Sequence, residues 1–295
     1  MTVDETSQSI AYISTGNATE DLIVTNYMTG TVVFNQNVVA SEQTNGPSPW
    51  INAEWSRSET LPLFSPGLYI VHVDPAAVTP SVVERKQNTY EMPLFVVPTT
   101  PTADMVFIFP SLTNTCYNQW GGASCYSKPH QPDVGFKRPG VYKAYIAALK
   151  RVILRADALG ITWDAIDEQY IEDNPAFLQN YRAAVAVFQP EYVTLAMRDA
   201  YEDYMNSGGR LAILGNEAWI YQVRRAGDTY SVYKTPERLI DPFDSDGDPS
   251  NDHLIAYEWV RGTPVSNTTG PNRPETRVLG QSTWLGYDAA YPYWT

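Results

Sequence analysis

The first hundred residues alternate short apolar runs with turn-forming stretches, which is the pattern of a β-rich segment. Runs such as DLIVTNYM, TVVFNQNVV, GLYIVHV and YEMPLFVVP are rich in β-branched and aromatic residues, and such residues favour strands. Between them lie stretches such as TNGPSPW and FSPG, in which proline and glycine favour turns. No run of helical period stands out in this part. The pattern predicts an all-β, sandwich-like module over residues 1–98.

After a proline-rich segment at residues 98–104, the pattern changes to strands that alternate with helices. MVFIFP is a buried apolar run, and GVYKAYIAALKRVILRADALG has apolar residues at helical spacing and ends in glycine. Further apolar runs, ITWDAIDEQ, AAVAVFQ and RLAILGN, alternate with the amphipathic stretch LAMRDAYEDYMNSGG. This alternation predicts βαβ units and a parallel sheet that is covered on both faces. We therefore expect an α/β domain over residues 99–295, with an irregular C-terminal region.

Three polar stretches come directly after predicted strands of the α/β domain. They are the predicted loops TNTCYNQWGG, QPEY and GNEAW, which contain Tyr117, Glu191 and Asn216. In open parallel sheets, ligands bind outside the carboxyl ends of the strands. Tyr117 can equally be a packed aromatic residue with a satisfied hydroxyl, and Glu191 can equally cap the helix that follows it. The pattern therefore marks a candidate crevice and leaves the roles of these side chains open.

Composition and charge narrow the possible partners and compartments. The chain is 43% hydrophobic and 18% charged, which is typical of a globular protein. Its net charge of −13 argues against nucleic acid and anionic membranes as partners, because both would repel it. No apolar run approaches the roughly 20 residues that span a bilayer, and no secretory signal is visible at the N-terminus. We expect a cytoplasmic protein, or a secreted one if a signal has been removed.

Standard catalytic motifs are missing from the sequence. It contains no GxGxxG dinucleotide fingerprint, no P-loop and no GxSxG elbow, and its three histidines show no zinc-binding spacing. A zinc hydrolase and a serine-triad enzyme are therefore only weakly supported, and a triad would have to be assembled from distant residues. The two cysteines, Cys116 and Cys125, could pair in an oxidising compartment, but so few cysteines in so long a chain indicate inert thiols.

An aspartate-rich stretch at residues 241–252 resembles a calcium-binding loop. Asp244, Asp246 and Asp248 alternate around a glycine, which would place their oxygens around one small cavity. The bidentate glutamate expected at the twelfth position is missing, because Ile255 stands there. A calcium site and a solvated acidic loop are both compatible with this stretch.

Several stretches, taken together, resemble the large (β) subunit of N,N-dimethylformamidase and its relatives. The matching pieces are, in family order, SPGLYIVHV, TNTCYNQWGGASCYS, PEYVTLAMRDAYEDYMNSGGRLAILGN, YQVRR, DPF and GPNRPETRVLG. Each motif is short, but their shared order over about 200 residues makes the match fairly specific. The resemblance implies a β-rich module followed by a flavodoxin-like α/β domain similar to class I glutamine amidotransferases.

The resemblance also implies a mononuclear ferric site with two tyrosines and one glutamate as ligands. By motif position these are Tyr69 in GLY, Tyr117 in CYNQWGG and Glu191 in PEY, so that the site would lie between the two domains. Phenolate and carboxylate are hard oxygen donors, which suit a hard trivalent cation and leave positions open for water and substrate. Such an ion would polarise an amide carbonyl and supply hydroxide. The implied activity is hydrolysis of the C–N bond of a small amide.

One departure from the family concerns the residues before Glu191. The family motif usually reads His-Asp-Glu-Tyr, whereas this chain has Gln-Pro-Glu-Tyr at residues 189–192. Gln189 can form hydrogen bonds but cannot take up a proton near neutral pH. Asn216 is expected near the metal, and Glu275 is a candidate for an acid–base role.

The alternative is a non-catalytic relative, an acidic and tyrosine-rich binding or assembly protein that keeps the fold. An intact tyrosine and glutamate set favours the enzyme, and the replacement at Gln189 favours the alternative. For either function the resemblance implies a homo-oligomer, with a small subunit as a further potential partner.

Overall fold

The structure of the chain is a computed structural model. It describes residues 1–12, 19–39, 57–74, 87–88, 91–118, 124–125, 133–135, 141–215, 218–219, 221–227 and 229–232. Within these ranges every element up to residue 97 is a strand, and the helices all begin after residue 110. No helix among the described residues is long and apolar enough to cross a membrane.

The N-terminal part is built on a five-stranded sheet. Its strands are β1 (Thr2–Asp4), β3 (Thr19–Asn26), β4 (Val32–Val39), β6 (Gly67–Asp74) and β8 (Glu91–Val97). They lie in the order β1-β8-β6-β3-β4. All neighbours are antiparallel except β1, which runs parallel to β8. Strands β2 (Ser9–Tyr12) and β5 (Arg57–Thr60) form a separate antiparallel ribbon.

The two faces of this sheet bury different side chains. Because side chains alternate along a strand, Tyr69 and Val71 of β6 face one way and Leu68 and Ile70 face the other. Tyr69 and Val71 share a core cluster with Ile10 of the ribbon, whereas Leu68 and Ile70 share a core cluster with the second half of the chain. The described residues therefore form a β module. A sandwich of two full sheets is not confirmed, because on the outer face the described residues provide only the two-stranded ribbon of β2 and β5.

The second part contains a four-stranded parallel sheet, as the sequence predicted. Its strands are β9 (Met105–Phe109), β12 (Trp163–Asp167), β13 (Ala183–Val187) and β15 (Arg210–Leu214). Their spatial order is β12-β9-β13-β15, and all pairs are parallel. Counted within the sheet this is the order 2-1-3-4 of flavodoxin-like sheets, in which ligands bind where the strand order reverses. That switch point lies at the carboxyl ends of β9 and β13.

Helices and the β module cover the two faces of the parallel sheet. The helices are α1 (Ser111–Tyr117), α2 (Lys143–Ala158), α3 (Glu168–Asp173) and α4 (Leu195–Asn206), with a 3-10 helix at Phe177–Asn180. On one face, α2 packs in the same core as Phe107 of β9 and Phe95 of the β module. On the other face, α1, α3 and α4 pack around Ile108 and Ala186. Both faces are therefore covered, and the carboxyl edge is where sheets of this kind bind ligands.

Shorter strands complete the described structure. Strands β10 (Asp133–Gly135), β14 (Tyr192–Val193), β16 (Tyr221–Ala226) and β17 (Thr229–Val232) form a sheet in the order β10-β17-β16-β14. Strand β7 (Gln87–Asn88) pairs with β11 (Val141–Tyr142). Strand β14 follows directly on Glu191, so that this small sheet adjoins the carboxyl edge of β13. A domain boundary in the segment at residues 98–104 stays a prediction.

Candidate functional site

Tyr117 and Glu191 meet at the switch point of the parallel sheet. Tyr117 is the last residue of α1, which follows β9, and Glu191 lies just after β13. The Tyr117 hydroxyl donates a hydrogen bond to Glu191 Oε2 at 3.0 Å. The Glu191 side chain is buried, and Tyr117 is half-buried. The fold thus joins two residues that are 74 positions apart in the sequence.

The segment that carries Tyr117 is a helix, whereas the sequence predicted a loop there. Helix α1 has no side-chain cap at Pro110 and no acidic residue in its first turn, so that local signals for a helix are weak. Its amino end is instead satisfied from a distance, because Leu112 N–H donates to Glu168 Oε2 at 3.3 Å. Burial raises the pKa of the Glu168 carboxyl well above its usual range; neighbouring Asp167 adds to the rise and the Leu112 hydrogen bond opposes it.

The backbone around Glu191 is held by hydrogen bonds from two sides. Glu191 N–H donates to Thr113 Oγ1 at 3.0 Å. The carbonyl of Pro190 accepts from Trp219 N–H at 2.7 Å. Thr113 and Trp219 are both fully buried. The alternative role of Glu191 as the helix cap is wrong, because the Thr194 side chain accepts from Met197 N–H at the start of α4.

A sharp turn at Phe188 leads the chain from β13 to Glu191. Phe188 has φ of 73°, in the left-handed region that is uncommon for residues other than glycine. Its N–H donates to the carbonyl of Leu214 at 3.0 Å. A Cβ atom added to Gly215 would lie 1.2 Å from the Phe188 carbonyl oxygen. The ends of β13 and β15 therefore approach so closely that only glycine is accommodated at position 215.

The Tyr145 ring of α2 packs against Tyr117. The Tyr145 ring lies edge-on to the Tyr117 ring, with centroids 6.4 Å apart and an interplanar angle of 81°. Tyr145 also packs against Phe188 at 4.6 Å between centroids. Because Tyr145 belongs to the core that α2 shares with the β module, these rings connect the site to that core.

A buried arginine packs against Trp219, the residue whose N–H donates to the carbonyl of Pro190. Arg198 of α4 is fully buried, and its Nε donates to Glu202 Oε1 at 2.8 Å. Its guanidinium lies 4.8 Å from the centroid of the Trp219 ring, which also stacks on Tyr201 at 4.9 Å. These contacts fix Trp219, and Trp219 in turn holds the backbone next to Glu191.

Tyr69, the third side chain of the implied ligand set, lies elsewhere. Its hydroxyl donates to the carbonyl of Ser65 at 2.8 Å, and its ring packs on Phe64 with centroids 5.2 Å apart. Burial raises the pKa of the Tyr69 phenol, and a hydrogen bond with Asn26 opposes the rise. Since Tyr69 faces the ribbon and not the parallel sheet, the structure does not bring it to the contact between Tyr117 and Glu191.

The other sequence-predicted site residues are only partly described. Gln189 is partly exposed and stands in the turn between Phe188 and Pro190. Asn216 and Glu275, like the aspartates of the proposed calcium loop, lie outside the described residues. The two cysteines are buried free thiols, as expected, and Cys125 N–H donates to the carbonyl of Cys116 at 3.0 Å.

The donors at the switch point fit the oxygen chemistry that the resemblance implies. A phenol oxygen and a carboxylate in direct contact are hard donors, which suit Fe(III) better than soft metals. Within the described ranges no cluster of three or more histidine, cysteine, aspartate or glutamate side chains could hold a metal ion.

Sequence reasoning missed Thr113, Tyr145 and Phe188. Thr113 stands four residues before Tyr117 and would share its face of a helix, but only if the segment had been recognised as helical. The contact of Tyr145 with Tyr117 and the turn at Phe188 have no local signal in the sequence.

Comparison with known families identifies one match. The family model described as N,N-dimethylformamidase beta subunit-like, C-terminal, matches residues 18–293. The match includes the β module from β3 onwards and the α/β part, and it contains Tyr69, Tyr117 and Glu191. No curated protein sequence matches the chain.

Proposed function

Because this chain belongs to the N,N-dimethylformamidase β subunit-like family, we propose that it is an iron-dependent amidohydrolase that cleaves the C–N bond of a small amide. Membership of the family supports amide hydrolysis at a coarse level. The observation that carries the finer proposal is the 3.0 Å contact between the Tyr117 hydroxyl and Glu191 at the switch point. It places two hard oxygen donors where flavodoxin-like sheets bind their ligands.

Tyr117 and Glu191 are the residues that would hold a mononuclear ferric ion. Such an ion polarises a carbonyl oxygen and lowers the pKa of bound water. The chain itself supplies position and shielding: Thr113 and Trp219 fix the backbone beside Glu191, and the Tyr145 ring covers one side of Tyr117. Tyr69, which the resemblance names as a third ligand, is not part of this proposal, because its side chain faces the ribbon.

Gln189 would limit the rate of such an enzyme. It can orient a water molecule through its amide, but it cannot accept a proton near neutral pH. General acid–base assistance is typically worth about 10²–10⁴-fold in rate. We therefore expect slow amide turnover unless another group, such as Glu275, takes up the proton. A homo-oligomer, a small subunit and a calcium ion at Asp244, Asp246 and Asp248 also stay predictions.

The proposal is tested by metal analysis and visible spectroscopy of protein from iron-replete expression. Phenolate bound to Fe(III) gives a charge-transfer band, so we expect coloured protein with about one iron per chain. Tyr117→Phe should lose the band and bind iron at least ~10-fold more weakly, because a donor oxygen is removed. Tyr170→Phe is the matched control, since Tyr170 is a partly buried tyrosine of α3 with an edge-on contact to Phe177.

Two results would contradict the proposal: iron-free, colourless wild-type protein, or a Tyr117→Phe variant with an unchanged band. The non-catalytic alternative is favoured by a specific observation, the glutamine at position 189. Release of amine from small formamides by the iron-loaded protein separates the two functions. If iron-loaded protein releases no amine, the result favours a binding or assembly function.

A further inference from the structure

Thr113 and Tyr117 contact the same residue from the same helix. Glu191 N–H donates to Thr113 Oγ1 at 3.0 Å, and the Tyr117 hydroxyl donates to Glu191 Oε2, also at 3.0 Å. Residues four apart on a helix lie on one face, one turn above the other. We propose that Thr113 is a positioning residue, which fixes the backbone of Glu191 so that its carboxylate stays aligned with the Tyr117 oxygen. This inference rests on the proposed function of the same pair.

The contact is buried from solvent at both ends. Thr113 has a relative exposure of 0% and Glu191 of 3%. A hydrogen bond in such a low-dielectric environment is strong, and a buried N–H that loses its acceptor is costly. Water has little access to replace the hydroxyl oxygen of Thr113. The hydroxyl is itself held in few orientations, because a β-branched side chain is stiff in a helix.

The two hydrogen bonds of Glu191, one through its side chain and one through its backbone, would be affected differently by a bound cation. The hydrogen bond between Tyr117 and Glu191 uses the two oxygens that would turn towards the cation. The hydrogen bond from Glu191 N–H to Thr113 uses neither of these donor oxygens. The bond to Thr113 can therefore persist whether the Glu191 carboxylate bonds Tyr117 or binds a cation. In both states it would hold the backbone of Glu191 against helix α1. Preorganisation of this kind depends on neighbours that lock the ligand residues in place.

A valine substitution isolates the hydrogen bond from the shape of the side chain. Thr113→Val keeps the β-branch and removes the acceptor, whereas Thr113→Ser keeps the acceptor and removes a methyl group. Thr115→Val is the matched control, because Thr115 lies in the same helix, is similarly buried at 7% exposure, and projects from a different face. Thr113→Ala replaces the valine variant if the latter does not fold.

Three measurements are made on the full chain. Iron affinity is measured by competition with a chelator, and the charge-transfer band by visible spectroscopy. Hydrogen exchange of the peptide that spans residues 188–192 is measured on metal-free protein. Exchange reports whether the Glu191 backbone is held, and it does so without reference to iron or activity.

We expect Thr113→Val to bind iron about 10–100-fold more weakly, as is typical when a partner of a ligand residue is lost. Its band should shift or weaken, and residues 188–192 should exchange faster. Thr113→Ser should restore all three readouts to near the wild type, and Thr115→Val should leave them unchanged. A loss of packing alone would instead affect Thr113→Ser and spare Thr113→Val.

Wild-type affinity, band and exchange in Thr113→Val would overturn the inference. If the wild type binds no iron, the proposed function fails, and hydrogen exchange alone then decides the role of Thr113. Faster exchange in Thr113→Val, with Thr115→Val unchanged, would support a clamp on Glu191. Equal exchange in the wild type and both valine variants would overturn it.

Discussion

The two halves of the molecule bury polar side chains in different ways. Among the described residues of the β module, Gln8 is the buried polar side chain, and its amide is satisfied on both sides by the backbone of Phe64. The described residues of the α/β part include a much larger buried polar set, namely Thr113, Asn114, Thr115, Asn118, Ser124, Asp164, Asp167, Glu168, Glu191, Thr194, Arg198 and Ser231. Most of these residues lie near the carboxyl edge of the parallel sheet or on the helices that follow it.

This difference agrees with a scaffold role for the β module and with a candidate site in the α/β part. Burying polar and ionisable groups costs free energy unless they are paired, and clusters of such groups in clefts are candidates for functional sites. The two candidate tyrosines show the same contrast. Tyr69 bonds a carbonyl four positions away in its own segment and Asn26 on the neighbouring strand, so its partners belong to the β module. Tyr117 bonds a carboxylate 74 positions away, which requires the whole α/β fold.

The largest expected effect comes from adding a side chain at Gly215, where the ends of β13 and β15 are in close contact. Gly215→Ala would place its Cβ 1.2 Å from the Phe188 carbonyl oxygen, so that the backbone has to move. We expect the free energy of unfolding to fall by at least about 4 kcal/mol, which is exceptional for one substitution. Urea denaturation measures it. The scaffold control is Gly30→Ala, where φ is +77° and no atom lies within 4 Å of the added Cβ.

Gly30→Ala should cost only about 1–2 kcal/mol, the ordinary cost of a left-handed conformation for a residue with a Cβ. Equal losses in the two variants would remove the contrast between the two halves at the level of the backbone.

A smaller, pH-dependent effect is expected at Glu168. Burial raises the pKa of this carboxyl above its usual value of 4.5. The folded state therefore holds the proton to higher pH than the unfolded state does. The stability that results is complete below pH 4.5 and is lost as the pH rises towards the native pKa. Glu168→Gln keeps an oxygen acceptor for Leu112 N–H and does not titrate.

We therefore expect Glu168→Gln to gain stability relative to the wild type as the pH rises above 4.5, by up to about 1.4 kcal/mol per pH unit. Denaturant titrations at several pH values measure this difference. The control is Glu5→Gln in the β module, where a partly exposed carboxylate accepts from Thr99 N–H. If the free energy of unfolding changed with pH in the same way in wild type and Glu168→Gln, burial of this carboxyl would have no energetic consequence.

The smallest expected effect concerns the tyrosine of the scaffold. Tyr69→Phe removes the hydrogen bonds to the Ser65 carbonyl and to Asn26 and leaves the ring packed on Phe64. We expect a loss of about 1 kcal/mol in unfolding free energy, with iron content and visible spectrum unchanged. A bleached Tyr69→Phe variant would break the comparison, because Tyr69 would then belong to the site together with Tyr117.

Some features of the protein are local enough for its sequence to determine. Alternation of apolar runs with helical periods predicted the parallel sheet, because that pattern depends only on which residues neighbour each other along the chain. The same pattern located Tyr117 and Glu191 after two strands, and parallel strands present their carboxyl ends at one edge. The order of short motifs indicated the family, and the family model confirmed it.

The tertiary structure decided the rest. Helix α1 has no local cap, and its amino end depends on Glu168, 56 positions away. Thr113 acquires its role only when Glu191 is folded against it. Tyr69 stands in a motif like that of a ligand, yet the alternation of β6 directs it to the ribbon. Each of these outcomes depends on contacts between distant segments, and such contacts exist only once the chain has folded, so neighbouring residues in the sequence carry no signal for them.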